Sequence, residues 1–520
     1  MTTSWYTKVK EYKSPIRVLA AVLLRSREAQ RAKVKELEQE AAELRARVAR
    51  QQEQIERQQR EIEELAGRAA EAQKQRDQAK QSVNLPDDPP IGTHGYGARM
   101  ISLAVNLARL VGLRGAVRVL RVFFHWLGID RAIPSRTSIR NWLQRLGIDE
   151  MKQPLGPSEH LVMMVDHSNQ IGTEKVMLVL GVDSATMPEK GKPLTHQDVR
   201  VLEVKPVESW KTADMEKEYE ALADRYGAPR AVLVDGAAEL RNGAECLKNQ
   251  REDTIVLRDF KHYTANVLKS LIGNDERFKE VGSKISLTRS AIQQTELAHL
   301  TPPSPKQKAR FMNLSCTLNW LSMILWLLRE PDVNAREEIS EERLREKLGW
   351  VAEYAEEIAA WQECQDVVSA SVKFINEQGL FQGASSELQT VIGDDLVHEP
   401  SKELARRLID FVGESEVLLR EGERLPMSTE ILESAFGLYK QLERQHSKSG
   451  FTSLLACLPA LLKPTTTPDD VKTAFERTSH KQVLAWTKEH FGTTVTSRRR
   501  AAYAEYHAAA KRATAHAAIP

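Results

Sequence analysis

The sequence predicts a mixed α/β protein: a sheet-bearing core interrupted by a long helical insertion and preceded by a coiled coil and a three-helix module. Three observations lead there. Heptads run along the amino-terminal part, short strand-like apolar runs cluster between residues 157 and 275, and the strand signal then vanishes for more than a hundred residues.

At 520 residues the chain is too long for one core. Its 74 Lys+Arg against 72 Asp+Glu leave overall charge silent about partners. Local charge says more: Arg109 to Arg145 holds Asp130 as its only acid, and the end of the chain, from Ser497-Arg498-Arg499-Arg500 to Lys511-Arg512, is basic. Cys246, Cys316, Cys364 and Cys457 are far apart with no Cys-x-x-Cys pair, which disfavours a zinc or disulfide framework and suits a reducing cytoplasm. Neither a signal peptide at Met1-Thr2-Thr3-Ser4-Trp5 nor a run of about 18 apolar residues is expected, so no membrane partner is predicted.

Residues 1–85 form the first segment. From Val34 to Ala79, position a reads Val34, Ala41, Val48, Ile55, Ile62, Ala69 and position d reads Leu37, Leu44, Gln51, Gln58, Leu65, Ala72. Branched residues at a and leucine at d favour a parallel homodimer, with Gln51 and Gln58 fixing its register. Asn84-Leu85-Pro86-Asp87-Asp88-Pro89-Pro90 then breaks the helix.

Residues 91–150 read as three helices, Tyr96–Val111, Arg114–Leu127 and Ser135–Leu146. The third has Ser135 or Thr137 as N-cap, Ile139, Trp142, Leu143 and Leu146 as its buried stripe, and Gly147 as its stop. That leaves Arg136, Arg140, Asn141, Gln144 and Arg145 outward, a face suited to the major groove of double-stranded DNA in a helix-turn-helix.

In the core, 157–275, the strands are Leu161–Val165, Lys175–Gly181, Val199–Val204, Ala231–Val234 and Thr254–Leu257, with helices after the third, fourth and fifth. Three antiparallel strands followed by helix-linked parallel ones make a mixed sheet. Residues 276–419 form the helical insertion, which includes Trp320, Trp326, Trp350 and Trp361, mostly expected in its core. The last core helices lie in 420–465, and 466–520 is a basic helical tail.

Asp166 ends the first apolar run and Asp235 the fourth, roughly seventy residues later; Glu433 opens the helix Glu433-Ser434-Ala435-Phe436-Gly437-Leu438-Tyr439-Lys440. If the first and fourth strands are neighbours, the two aspartates meet, and a glutamate from the late helix completes a site for two magnesium (or manganese) ions, which prefer carboxylate oxygens. Asp183 and Asp259 compete on the same strand-end criterion, and an aspartate there is as often only a turn residue. Lys440 lies about two helical turns beyond Glu433, on nearly the same face, where it can hold a DNA phosphate. His262 reads more readily as a structural histidine than as a reactive one.

The strand order resembles the ribonuclease-H-like fold. The stretches Val165-Asp166-His167-Ser168, Leu233-Val234-Asp235-Gly236, Arg258-Asp259-Phe260-Lys261-His262 and the Glu433-x6-Lys440 pattern followed by Lys448-Ser449-Gly450 resemble the DDE transposases of bacterial insertion sequences, over roughly residues 92–462. The resemblance implies Asp166, Asp235 and Glu433 as catalytic metal ligands, Lys440 as a DNA contact, and cleavage and strand transfer at the ends of a mobile element. The alternative is an inactive or domesticated DNA-binding descendant.

Overall fold

The computed structural model describes residues 16–80, 87–92, 95–154, 158–169, 175–207, 210–304, 314–330, 341–444, 452–491 and 495–517. Two compact units are distinguished: residues 1–86 with 122–131, and residues 87–121 with 132–520.

The first unit is dominated by α1 (Ile16–Lys80), a single 65-residue helix. Its heptad residues Val34, Leu37, Leu44, Val48, Ile55, Ile62 and Leu65 are each 51–64% exposed. An apolar seam of that length has no partner within the described residues of its own chain.

The second unit opens with α2 (Ala98–Leu127), whose last residues belong to the first. The two helices expected here are one element broken at Gly112, where φ 73° and ψ 170° interrupt the helical run. Among the described residues this is the one helix long and apolar enough to cross a membrane by length and composition, which the sequence reading had not anticipated. Half of that apolar window is buried in the protein, with Ile101, Ala104, Val105, Leu113 and Ala116 at 0–1% exposure or less.

Next comes α3 (Arg136–Met151), capped by Ser135, whose side chain accepts the Ser138 N–H. It runs four residues past the expected stop at Gly147. That glycine is a contact point: a Cβ there would lie 1.9 Å from the Ala456 carbonyl oxygen.

The sheet comprises β1 (Leu161–Asn169), β2 (Lys175–Asp183), β3 (Arg200–Val207), β4 (Ala231–Val234) and β5 (Ile255–Arg258) in the order β3-β2-β1-β4-β5. β1 to β3 pair antiparallel, while β4 and β5 run parallel to β1, giving the mixed sheet expected. Helices α4 (Thr212–Tyr226) and α5 (Ala238–Gln250) follow β3 and β4. Met215, Tyr219 and Leu222 of α4, with Leu240, Ala244 and Leu247 of α5, pack on Met163, Val165, Val232 and Val234. Gly243 lets the two helices touch, since a Cβ there would lie 2.6 Å from the Met215 Cβ. Side chains alternate along a strand, so Asp166, next to Val165, falls on the face opposite these helices.

After β5 come α6 (Phe260–Ile272) and the insertion helices α7 (Glu276–Ile292), α8 (Ser315–Arg329), α9 (Glu341–Leu348), α10 (Ala355–Gln378), α11 (Ala384–Ile392) and α12 (Glu399–Glu416). Trp320 and Trp361 are buried there, the latter edge-on to Phe278 at 5.1 Å, whereas Trp326 is 51% exposed. A two-stranded ribbon, β6 (Leu380–Phe381) with β7 (Arg424–Leu425), closes the insertion. Buried Arg230, at the foot of β4, grips Glu423 with two 2.7 Å hydrogen bonds and so fastens the insertion's exit to the sheet.

The chain then makes α13 (Glu430–Glu443), which packs against β1, and α14 (Leu458–Leu462), α15 (Pro468–Arg477), α16 (His480–Phe491) and α17 (Val495–Ala517). α3 packs against the turn Ser453–Cys457 and against α14, α15 and α16.

Candidate active site

The parallel pairing of β1 with β4 ends at Val165↔Val234, and the next residue on each strand is an aspartate. Asp166 and Asp235 are therefore neighbours, as their strands required. β1 itself continues beyond Asp166 to Asn169 on its antiparallel pairing with β2, so Asp166 lies within the strand opposite Leu178. Asp235 leaves its strand at the turn through Gly236, which adopts φ 95°, a conformation costly to any residue with a Cβ. Its carboxylate accepts the Ala237 N–H at 2.8 Å.

The pair is electrostatically loaded. Burial, then the neighbouring Asp235 charge, raise the Asp166 pKa to about 7, against the lowering influence of His262 and the His167 N–H. Burial likewise raises that of Asp235, against the Ala237 N–H and His262. Among the described residues no salt bridge reaches either carboxylate.

Two side chains from α6 organise the surroundings. Asp259, 1% exposed, caps that helix by accepting the His262 N–H at 2.6 Å and contacts the His262 ring nitrogen Nδ1 at 3.0 Å. Its other oxygen accepts the Thr429 hydroxyl at 2.6 Å and the Thr429 N–H. Thr429 is the residue before α13. Asp259 thus pins the start of the Glu433 helix to the end of β5, helped by the Phe260 N–H donating to the Met427 carbonyl at 2.9 Å. Burial would raise the Asp259 pKa, but the hydrogen bonds from His262 and Thr429 leave it lowered. For His262, burial works downward and is overcome by Asp259, Asp235 and Asp166, so its pKa rises to about 9. It carries a positive charge near the two aspartates at neutral pH.

Glu433 is near enough to add to the charge that raises Asp166, and its carboxylate is ion-paired to Lys261 at 3.1 Å. Lys261 also meets Glu430 at 3.2 Å. Burial would lower the Lys261 pKa, and the two glutamates raise it. Among the described residues no group of three or more His, Cys, Asp or Glu side chains is disposed to hold one metal ion. The structure brings Asp166 and Asp235 together; Glu433 stands beside them, held by a lysine. Lys440 is exposed on the same helix. Lys448-Ser449-Gly450 lie outside the described residues. A cavity of about 560 Å³ opens beside Lys261, between α6 and α10, lined also by Thr264, Gln365, Lys373 and Asn376.

The expected DNA-reading face of α3 is different. Gln144 is buried at 3% exposure and donates to the Ser453 carbonyl at 2.6 Å and its hydroxyl at 3.1 Å. Arg145 donates to the Thr478 and Phe475 carbonyls and lies 4.0 Å over the Phe475 ring. These two residues do not face outward, because segments more than three hundred residues later cover that side. Arg140 and Asn141 are half-buried, and Arg136 is exposed.

Sequence reasoning left out Lys261 as a partner of Glu433 and Asp259 as the anchor of α13. The available signal was their position: both stand in the Arg258–His262 stretch, at the strand end next to that of Asp235.

No protein-family model matches the chain, and no curated protein does. Among solved structures, the Drosophila P element transposase strand transfer complex is similar with a TM-score of 0.33 at 14% identity, covering 74% of this chain and 91% of that one.

Proposed function

We propose that the chain is a metal-dependent DNA transposase, with a ribonuclease-H-like core that nicks DNA and transfers strands at the ends of a mobile element. The observation that carries this reading is the adjacency of Asp166 and Asp235 one residue beyond the β1/β4 register, in a mixed sheet ordered β3-β2-β1-β4-β5. Two half-buried carboxylates side by side, with no salt bridge among the described residues, are a poor arrangement for protein alone and a good one for a divalent cation. Asp166 and Asp235 would be the primary ligands of magnesium or manganese, and Glu433 would join them only on leaving its ion pair with Lys261. Ions bound there supply activation of the attacking oxygen and charge neutralisation at the leaving one.

The remaining residues position these groups. Asp259 fixes the start of α13 and thereby the height of Glu433 along β1. Lys261 neutralises Glu433 and Glu430 in the free protein and becomes available to a DNA phosphate when Glu433 turns to a cation. His262 offsets the negative charge of the aspartates. Lys440 contacts the DNA backbone from the exposed side of α13. The heptads of α1 join two copies in parallel, which presents two element ends together.

The test is nicking of supercoiled plasmid carrying the element's own flanks, with magnesium or manganese and with EDTA. Nicking should require the cation and fall at least about 10³-fold in Asp166→Asn and Asp235→Asn, as when a reacting group is removed outright. Undiminished nicking by either variant would exclude this site. For the dimer, gel filtration of a variant lacking residues 26–84 should give a monomer; an unchanged oligomer would remove α1 from the assembly.

A further inference from the structure

The charge of α17 is one-sided, and the proposed chemistry does not use this helix. It carries Arg498, Arg499, Arg500, Lys511 and Arg512 against one acid, Glu505. Its helicity needs no core, because Ala501, Ala502, Ala504 and Ala508 are strong helix formers and no large apolar stripe asks for burial. Residues 498–509 are exposed throughout.

The arrangement of the exposed side chains is not uniform. At about 100° per residue, Arg499, Tyr503 and Tyr506 follow one another at i, i+4 and i+7, and Arg500, Tyr503 and His507 at i, i+3 and i+7. Two arginines, two tyrosines and a histidine thus share one face, while Glu505 lies on the other side. Tyr503 and Tyr506 are 60% and 70% exposed. Large aromatic rings left in water within a basic row have a use when the partner is a polyanion: the guanidinium groups neutralise phosphates and the phenol hydroxyls donate to phosphate or sugar oxygens. By contrast α1, which is also basic over Ile16–Lys35, has no aromatic residue along its length and so no such face.

We propose that α17 is a DNA-backbone contact, with Arg499 and Arg500 as the phosphate-neutralising residues and Tyr503 and Tyr506 as hydrogen-bonding companions. The assignment rests on DNA being the partner in the proposed function, but not on catalysis. It also gives the chain a DNA contact apart from the expected recognition helix α3, whose Gln144 and Arg145 are committed to contacts within the protein. An anionic membrane surface is the competing polyanion, and it fits less well because the face offers no leucine, isoleucine or phenylalanine to insert.

The experiment uses full-length protein, a fluorescent duplex of about 30 bp of arbitrary sequence, and anisotropy titrations between roughly 50 and 200 mM salt. Arg499→Ala/Arg500→Ala should flatten the plot of log affinity against log salt by about 1.8, from about 0.9 per lost phosphate contact. Arg499→Lys/Arg500→Lys should restore most of the slope, which a merely structural role for the arginines would not do. Tyr503→Phe/Tyr506→Phe should weaken binding severalfold with the slope unchanged. An unaltered slope in the double alanine variant would overturn the proposal, as would wild-type protein that does not bind the duplex. So would loss of sedimentation with phosphatidylserine vesicles while the DNA slope stays fixed. A protein that never nicks plasmid yet shows the arginine effect refutes the catalytic reading alone.

Discussion

The end of the sheet and helix α3 treat their polar groups in opposite ways. At β1 and β4 two carboxylates are held against each other, and burial raises the pKa of each against the opposing charge of His262. On α3, Gln144 and Arg145 reach backbone carbonyls, and Asp149 accepts the Thr478 hydroxyl at 3.1 Å. Leaving charge uncompensated in a partly dry place costs several kcal/mol, whereas a matched buried hydrogen bond stabilises by about 1. A fold keeps the first arrangement where a ligand repays it and the second where structure itself is the purpose. On the proposed reading the aspartate pair is where a cation would bind, and α3 serves as a strut.

The largest expected effect tests the first half of that contrast. Asp166→Asn or Asp235→Asn should remove divalent-dependent nicking by at least about 10³-fold while circular dichroism stays unchanged. A parallel measurement reads stability against pH without metal. The folded-state pKa of Asp166, about 7, lies above its ordinary 3.8, so the native chain binds the proton more tightly than the unfolded one. Stability therefore falls as pH rises from about 4 to 7 and stays reduced above. His262 adds to the trend: its contribution is full below 6.5 and is lost as pH climbs through about 9. Asp166→Asn should consequently raise the Tm at pH 8, by up to about 4 kcal/mol in stability at 1.36 kcal/mol per unit, and leave it nearly unchanged at pH 3.5. Magnesium should raise the wild-type Tm at pH 8 and not that of the variant. A wild-type Tm indifferent to both pH and magnesium would erase the difference between the two regions.

The two regions also differ in how far their sequence disclosed them. The apolar runs Leu161–Val165 and Ala231–Val234 each end in an aspartate, and strand pairing needs only local period and neighbour order. The Asp166–Asp235 meeting was therefore readable. The helical period of α3 was equally readable, and its stripe Ile139, Trp142, Leu143 and Leu146 is buried as expected. Nothing local told which of its polar residues would be covered, because the covering groups, Ser453, Phe475 and Thr478, arrive more than three hundred residues later. Gly147 illustrates the same gap: a glycine near a helix end reads as a stop, but here it is the point of contact with Ala456. The roles of Asp259 and Lys261 were out of reach for the same reason, since their partners Thr429, Glu430 and Glu433 lie beyond the whole insertion.

If α3 is a strut, its contacts should matter more to stability than to DNA. Gly147→Ala must push a Cβ into the Ala456 carbonyl, and overpacking against rigid backbone should cost about 3 kcal/mol in chemical denaturation. Gln144→Ala, which strands the Ser453 carbonyl, should cost about 1–2 kcal/mol. Loss of stability in neither variant would mean that α3 is loosely held and free to serve as a reader.

Arg136→Ala carries the smallest expected effect and discriminates most sharply. Arg136 is the exposed member of the five residues first assigned to the DNA face, at the first turn of α3. Its removal touches no buried contact, so stability should change by less than about 0.5 kcal/mol. Were α3 a recognition helix, this arginine would sit where its amino-terminal residues meet base edges, and losing it would cost about 1–3 kcal/mol at one base pair. Were α3 a strut with the backbone held by α17, anisotropy should show less than a twofold change on any duplex, and no change in which base pairs matter. A tenfold, sequence-dependent loss would return α3 to the DNA and leave the comparison standing only at the sheet.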